Sequence, residues 1–418
     1  MRVWIVTVGE PLPKYSPADR IWRSGYLAQL MARRGHDVTW WVSSFDHFRK
    51  IQLEPDSRRV ELEPNLGLQF LHGRDYPRNV SLARLRNHRE NADEFRRIAR
   101  EVAAPDVILC SFPTIELSRE ATAFGRERGI PVALDIRDLW PDEMVDRVPR
   151  AARWLARLVL APMYAEARRA LRDATALVSI SHNFLDWGLA HAGRAVTPRD
   201  RVIPMGYTGA LDAIPVDDAV RAKLSALGVD PAKRIFWFSG TFTGNLDLGT
   251  VIEAARRLQA DADIQFVFCG SGERDAEWRA QARGLSNVIF TGWAVASELA
   301  WLSSIAWAGL GAYAAHARMS NPNKVFEYMS AGLPILLSLG GETRAMIEDN
   351  DAGRGYTAGD PDSLAAAVQQ LANDPALRER QSLAARRLFR ERFSPEALYG
   401  GYADYLVSLA RDKPLSAS

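Results

Sequence analysis

Short apolar runs of strand length alternate along the chain with longer stretches in which apolar residues recur at helical spacing. The apolar runs are 3–8, 37–42, 106–110, 131–136 and 176–180 in the first half, and 234–239, 264–269, 288–291, 306–310 and 335–338 in the second. Near-continuous apolar strands separated by helices are typical of a parallel sheet that helices cover on both faces. The pattern therefore predicts an α/β protein.

The alternation stops near residue 203 and restarts at Arg234, so we predict two doubly wound, Rossmann-like domains. The predicted ranges are 1–204 for the first domain, 205–232 for a linker, 233–392 for the second domain and 393–418 for a terminal helical segment. Sites in such sheets lie at the carboxyl ends of strands, beside helix N-termini. Chemistry is expected at those edges.

Composition excludes several classes of protein. Of the residues, 47% are apolar and 25% are charged, which is ordinary for a globular chain and argues against disorder or a disulfide scaffold. The formal charge of +2 gives no reason to expect nucleic acid as a partner. Cys110 and Cys269 each end a strand-like run, so we expect two buried thiols in a reducing compartment. With no apolar stretch of about 20 residues and a first segment that predicts a strand rather than a signal peptide, a cytoplasmic location is expected.

The most informative motif is SNPNKVFEYMSAGLP at 320–334. A polar turn offers a capping side chain to a short helix, whose free N–H groups can hold an anion with help from Lys324. Glu327 follows on the same face, and its carboxylate can accept two hydrogen bonds from a sugar diol. A capped helix with a Lys–Glu ion pair explains the same residues equally well, so physics alone leaves both interpretations open.

This motif resembles the nucleotide-sugar-binding signature of retaining family-4 glycosyltransferases, in the variant P-[SN]-K-x-x-E-Y-x-x-x-G-x-P. The resemblance implies the GT-B fold, in which two Rossmann-like domains face each other across a cleft, and it implies that Glu327 binds the ribose hydroxyls. The donor-binding residues that it implies are Gly240, Thr241, Gly270, Gly292, Trp293, Ser320, Asn321, Asn323, Lys324 and Glu327. Met319 stands where many members carry a glutamate that contacts the transferred sugar.

A second motif, DIRDLWPDE at 135–143, is similar to the RDLWPE segment of members that build bacterial surface polysaccharides. It follows an apolar run, so Arg137 and Asp138 should lie at the carboxyl end of a strand, and we predict them as catalytic residues. A charged strand end beside a packed Trp140 is the alternative. The acceptor-side candidates are Glu10, Asp19, Arg23 and His47. For His47 a surface or core histidine remains the favoured alternative.

The resemblance implies a retaining, metal-independent glycosyltransferase of the hexosyl or N-acetylhexosaminyl type. Its donor is expected to be a UDP-sugar, and its acceptor a glycan or polyprenyl-linked glycan in cell-surface polysaccharide biosynthesis. No cofactor or metal is expected, because no G-x-G-x-x-G follows the first strand and the histidines form no zinc motif. A nucleotide-sugar 2-epimerase and a catalytically silent GT-B partner protein remain as alternatives.

A basic stretch at 149–172 contains six Arg and one Glu. Arg150, Arg153 and Arg157 recur at helical spacing beside apolar residues, and Pro162 is predicted to divide the stretch into two helices. The resemblance to enzymes that extend lipid-linked glycans at the inner leaflet implies that this stretch contacts an anionic membrane surface there. Two helices with their apolar faces buried in the domain are the alternative.

Overall fold

A computed structural model describes residues 1–12, 14–15, 21–78, 81–209, 211–317 and 321–412. The chain divides into two compact units. The first comprises Met1–Pro204 together with the chain from Leu398 onward, and the second comprises Met205–Ala397. Residues 205–232, predicted as a linker, lie in the second unit, where Leu224 is fully buried in the core.

The first unit is built on an eight-stranded sheet and a separate two-stranded pair. Its strands are β1 (Arg2–Val6), β2 (Asp37–Ser43), β3 (Phe45–Asp46), β4 (Ile51–Gln52), β5 (Arg59–Glu63), β6 (Leu66–Leu71), β7 (Val107–Phe112), β8 (Val132–Ile136), β9 (Ala176–Ser179) and β10 (Arg201–Val202). Its helices are α1 (Arg23–Arg33), α2 (Leu82–Ile98), α3 (Ile115–Arg128), α4 (Asp142–Asp146), α5 (Arg153–Val159), α6 (Ala161–Asp173) and α7 (His182–Ala192). The sheet order is β10-β9-β8-β7-β1-β2-β6-β5, with only the β5–β6 pair antiparallel.

The second unit contains a six-stranded, fully parallel sheet in the order β13-β12-β11-β14-β15-β16. Its strands are β11 (Arg234–Ser239), β12 (Ile264–Cys269), β13 (Val288–Gly292), β14 (Ala306–Gly311), β15 (Ile335–Leu337) and β16 (Gly353–Gly355). Its helices are α8 (Asp218–Ala226), α9 (Leu248–Arg257), α10 (Asp275–Gln281), α11 (Ala296–Ile305), α12 (Asn323–Ser330), α13 (Gly341–Asp349), α14 (Pro361–Asn373) and α15 (Pro375–Leu388).

The last helix, α16 (Pro395–Arg411), carries the chain back to the first unit. Its Tyr399, Tyr402 and Leu406 are fully buried in the core of that unit, beside β1, β2 and α1. Tyr26 of α1 packs against Tyr399, with 5.1 Å between the ring centroids. The C-terminal residues are therefore part of the first domain's hydrophobic core.

The α/β class and the two Rossmann-like domains are confirmed. The central strands are buried on both faces, which explains why their sequences are apolar almost without interruption. Both cysteines are free and buried. Among the helices of the described ranges, none is long and apolar enough to cross a membrane.

Candidate functional site

The predicted donor motif forms the start of α12. Its N-cap residue is Pro322, which has no side-chain hydrogen-bond acceptor, so the expected side-chain cap is not provided at that position. The backbone N–H of Val325 already donates to the Pro322 carbonyl at 3.0 Å, and the dipole of this eight-residue helix places partial positive charge at its N-terminus, where an anion can bind. Asn323 is exposed at the first helical position. Ser320 and Met319 lie outside the described residues.

Glu327 lies one turn into α12 and is half-buried. The hydroxyl of Ser239, the last residue of β11, donates a hydrogen bond to Oε1 of Glu327 at 3.3 Å. This contact links the carboxyl end of a central strand to the helix and helps to fix the carboxylate at the sheet edge. The sequence places Ser239 at the end of an apolar run, but it does not predict the contact with Glu327, because the two residues are 88 positions apart.

Lys324 lies one turn before Glu327 and packs over an aromatic ring. Its Nζ is 4.5 Å from the centroid of the Phe238 ring. Burial lowers the pKa of Lys324, while the nearby charge of Glu327 opposes this effect. A desolvated ammonium beside a helix N-terminus is suited to the negative charge of a diphosphate.

Two glycines create the space around this lysine. Gly240 has φ +141°, and a Cβ at this position would lie 2.3 Å from Nζ of Lys324. Gly270 has φ +153°, and a Cβ there would lie 1.9 Å from the carbonyl oxygen of Gly240. Glycine is therefore required at both predicted positions, because the backbone lies too close to its neighbours to leave room for a Cβ. Any side chain at these positions would displace the lysine or the adjoining turn.

The other predicted donor residues surround the same sheet edge. Thr241 is exposed after β11, Gly292 ends β13 with φ +77°, and the Trp293 side chain that follows is 68% exposed. Asn321 is buried with φ +51°, and its backbone N–H donates to Oγ1 of Thr343 at 3.1 Å. Thr343 of α13 therefore helps to fix the turn before α12, a contact that no local sequence pattern signals.

In the first domain, Arg23 and Asp135 form a fully buried ion pair. Nε of Arg23 donates to Oδ2 of Asp135 at 2.8 Å, and the second N–H donates to Oδ1 at 3.1 Å. The guanidinium also donates to the Pro204 carbonyl at 2.8 Å and lies 4.7 Å from the Tyr402 ring centroid. Arg23, predicted as an acceptor-side residue, is thus held by a strand, a loop and the C-terminal helix.

Arg137 extends this pair into a network at the carboxyl end of β8. It donates to Asp135 Oδ2 at 2.9 Å and to Ser24 Oγ at 2.8 Å, and it forms an ion pair with Glu10. The Glu10 carboxylate in turn accepts from the backbone N–H of Ser24 at 3.0 Å, at the start of α1. Arg137 and Glu10 are therefore brought together.

The charges of this network stabilise one another. Burial disfavours the charged form of Asp135, but the two guanidinium groups of Arg23 and Arg137 outweigh it and hold the pKa of this carboxyl below its usual range. The Arg137 pKa is raised because Asp135 and Glu10 outweigh the effect of burial. The arrangement fixes the edge of the sheet electrostatically. Asp135 was missed as the partner of Arg23 because the two residues are 112 positions apart in the sequence.

Asp138 lines a separate cleft of about 340 Å³ in the first domain. It is exposed to solvent, yet the surrounding protein raises the pKa of its carboxyl against the opposing charges of three nearby arginines. The lining of the cleft is rich in aromatic and basic side chains, among them Trp22, Phe45, His47, Phe48, Tyr76, Arg84, His88 and Trp140. Such a surface can bind a sugar ring by stacking and a polar substituent by hydrogen bonding.

His47 and Arg84 both line this cleft. Nδ1 of His47 lies 2.7 Å from the Tyr76 hydroxyl, and burial with the charges of Arg84 and Lys50 lowers the His47 pKa to about 4. Arg84 lies 4.8 Å from the centroid of the Trp140 ring. His47 is thus a neutral hydrogen-bonding group at neutral pH. Asp19, the remaining acceptor-side candidate, lies outside the residues that the structure describes.

Two comparisons of sequence match parts of the chain. Residues 233–374 match the sequence profile of the family described as "Glycosyl transferases group 1". A stretch of 83 residues is 40% identical to the lipopolysaccharide core biosynthesis glycosyltransferase LpsD of Rhizobium meliloti (strain 1021). That stretch spans 20% of this chain and 24% of the curated relative's length.

Comparisons of structure extend over the whole chain. A sucrose-phosphate synthase from Thermosynechococcus elongatus is similar with a TM-score of 0.70, at 16% identity and 98% coverage of each chain. Anabaena HepE in complex with UDP has a TM-score of 0.67, at 15% identity, over 98% of this chain and all of that one. WaaG, a glycosyltransferase involved in lipopolysaccharide biosynthesis, has a TM-score of 0.62, at 16% identity, with 97% and 99% of the two chains covered.

Proposed function

Because the chain carries a group 1 glycosyl transferase domain in a GT-B fold, we propose that it is a retaining, metal-independent glycosyltransferase. It moves a sugar from a UDP-linked donor to a glycan or polyprenyl-linked acceptor in cell-surface polysaccharide biosynthesis. The observation that carries this proposal is the edge of the second sheet, where Glu327, held by Ser239, and Lys324 flank the N-terminus of α12. The HepE structures with UDP and with UDP-glucose support a UDP-sugar as donor.

The chemistry at this edge follows from charge. Bond cleavage between sugar and diphosphate leaves negative charge on the departing phosphate oxygen. The N–H groups of α12 and the ammonium of Lys324 stabilise that charge, which is the role proposed for them in place of a metal. The Glu327 carboxylate accepts hydrogen bonds from the ribose diol and thereby orients the nucleotide. The acceptor hydroxyl oxygen forms the new bond to the anomeric carbon, and the departing phosphate oxygen takes the proton of that hydroxyl.

The aromatic cleft of the first domain is the proposed acceptor site. Its Trp140 offers a ring for stacking against a sugar, and Asp138 and the neutral His47 offer hydrogen-bonding groups. LpsD and WaaG are glycosyltransferases of lipopolysaccharide biosynthesis, which supports an acceptor that belongs to a bacterial surface polysaccharide. On this proposal the enzyme works at the cytoplasmic face of the membrane.

Release of free nucleotide tests the proposal. The purified chain is incubated with a panel of UDP- and GDP-sugars, with and without glycolipid extracted from bacterial membranes, and released UDP or GDP is measured. Acceptor-dependent release from a UDP-sugar, lost in Glu327→Ala and retained in Glu253→Ala, is expected. Conversion of the donor to its 2-epimer would instead indicate the epimerase. Binding of UDP without any turnover over the whole panel would favour the silent partner.

A further inference from the structure

Helix α5 presents an apolar face that the domain does not bury. Trp154, Leu155, Leu158 and Val159 are between 51% and 71% exposed, and none of the seven residues of this helix is buried. In an α-helix these four positions project within one sector of about 140°, so they form a continuous ridge. Exposed apolar side chains in a contiguous patch mark a surface that binds another protein or a membrane.

The neighbouring helix behaves differently. Pro162 lies in the first turn of α6, which confirms the predicted division of this stretch into two helices. The apolar residues Tyr164, Ala167 and Leu171 of α6 are buried, while its arginines face solvent. The alternative to membrane binding was that both helices bury their apolar faces in the domain. This holds for α6 but not for α5.

Positive charge surrounds the apolar ridge. Arg150 and Arg157 are exposed on its own segment, and Arg168, Arg169 and Arg172 are exposed on α6. The sequence has another basic stretch at 74–100. It differs from the one around α5 because several of its arginines pair with nearby carboxylates, as in the Arg96–Asp93 and Arg97–Glu94 pairs. The charge excess therefore coincides with the apolar ridge at α5 and α6.

A cleft of about 320 Å³ lies between these features. It is lined by Asp142, Arg157, Ala161, Tyr164, Arg168 and His191. The one carboxylate in this lining is already engaged, because Asp142 accepts from the Tyr164 hydroxyl at 2.6 Å and from Nε1 of Trp187 at 2.7 Å. Two guanidinium groups thus line a cavity whose acid is internally satisfied, and such a cavity suits a phosphate group.

We infer that α5 and its arginines form a docking surface for an anionic phospholipid bilayer. The ridge enters the headgroup region, the exposed arginines pair with lipid phosphates, and the Arg157–Arg168 cleft receives one anionic headgroup. The anionic bilayer is the favoured partner because the surface combines an apolar ridge with an excess of arginine, and both are complementary to such a bilayer. The inference rests on the proposed function, because a polyprenyl-linked acceptor would lie in the same membrane.

Vesicle co-sedimentation of the full chain tests the inference. The wild type should sediment with vesicles of phosphatidylglycerol and phosphatidylcholine at low salt, should be released as salt screens the charges, and should not bind pure phosphatidylcholine. Trp154→Ser/Leu158→Ser should weaken binding by at least about tenfold. Arg157→Glu/Arg168→Glu should weaken it by at least about 25-fold, taking about fivefold for each arginine lost.

Matched substitutions in the second domain serve as controls. Leu383 is 63% exposed and Arg387 is exposed, so Leu383→Ser and Arg387→Glu should leave vesicle binding unchanged. Thermal melting and titration with UDP show whether each variant is folded and whether the proposed donor site survives. Intact UDP binding with lost vesicle binding supports the docking surface, whereas lost UDP binding in the wild type counts against the proposed function alone.

Four outcomes would overturn the inference. The first is equal binding to neutral and anionic vesicles, and the second is no binding to either. The third is an oligomer in gel filtration that dissociates in Trp154→Ser/Leu158→Ser, because the ridge would then be the contact between copies of this chain. Unchanged vesicle binding in both double variants has the same consequence.

Discussion

Oγ of Ser239 lies 3.3 Å from Oε1 of Glu327, so the last residue of β11 holds a carboxylate on the second turn of α12. The strand is buried, and the N-terminus of the helix presents the positive end of its dipole at the same sheet edge. A ribose diol and a diphosphate require these two features in the same place. The following predictions test this relationship and the network that supports the first domain.

Lys324→Met should weaken UDP binding by about 10- to 100-fold, because it removes a charge-assisted contact to phosphate worth about 1.5–3 kcal/mol. Binding of uridine, which has no phosphate, should change little. Titration calorimetry of both ligands measures the difference. Lys233→Met is the matched control and should bind both ligands as the wild type does. Equal losses for UDP and uridine would assign Lys324 a structural role.

Gly240→Ala should reduce UDP affinity by a similar factor, since the new Cβ would lie 2.3 Å from Nζ of Lys324 and displace it. Gly284 provides the matched control. It also has a positive φ, of +84°, but nothing lies within 4 Å of its Cβ position. Gly284→Ala should therefore lose about 1 kcal/mol of stability from backbone strain and keep its UDP affinity. Wild-type affinity in Gly240→Ala would contradict the proposed place of the lysine.

Asp135→Asn should lower the free energy of unfolding by about 3–5 kcal/mol, because it leaves the buried Arg23 and Arg137 without their shared carboxylate. Denaturant unfolding measures the loss. Asp37→Asn, which breaks the exposed pair with Arg2, should cost less than about 1 kcal/mol. Similar losses in the two variants would show that the buried network adds no particular stability.

The same carboxylate predicts a dependence of stability on pH. The folded-state pKa of Asp135 is lowered, so its contribution to stability is complete above the unfolded-state pKa of about 3.9. That contribution is lost as the pH falls through the folded-state pKa, since the unfolded chain then binds more protons. Between about pH 5 and about pH 2, the free energy of unfolding should therefore fall further for the wild type than for Asp135→Asn.

Asp138→Asn should slow transfer at least about tenfold while it shifts the unfolding free energy by less than about 0.5 kcal/mol, since this residue is exposed in its cleft. Initial rates of UDP release and thermal melting give the two readouts. A large loss of stability with normal specific activity would show that the carboxylate is structural.

The sequence predicts the fold well wherever burial on both faces makes a strand continuously apolar. The predicted runs 234–239 and 264–269 coincide with β11 and β12 as they are observed. Strands without that signal were missed: Gly67 and Gln69 interrupt the apolar run of β6 although that strand is buried throughout, β5 reads RVELE with only Val60 buried, and β16 is Gly-Arg-Gly at the edge of its sheet. Their pairing depends on neighbouring strands, and a local pattern does not contain that information.

The candidate site likewise contains features that the local sequence predicts and features that it does not. The motif at 320–334 is contiguous, so its helix and the positions of Lys324 and Glu327 follow from local spacing. The pairing of Arg23 with Asp135 joins residues more than a hundred positions apart and leaves no local trace. The exposure of the α5 ridge also depends on how the domain packs, which the helical spacing of its residues does not determine.

Titration of UDP into the wild type and Glu327→Ala, with Glu253→Ala as the matched control, tests the central claim most directly. The claim is that the carboxylate held by Ser239 binds the ribose of a nucleotide donor. The account predicts saturable UDP binding to the wild type and to the control, and at least about tenfold weaker binding to Glu327→Ala, with all three melting alike. Equal UDP affinity in Glu327→Ala and the wild type, or no UDP binding to the wild type, would contradict it.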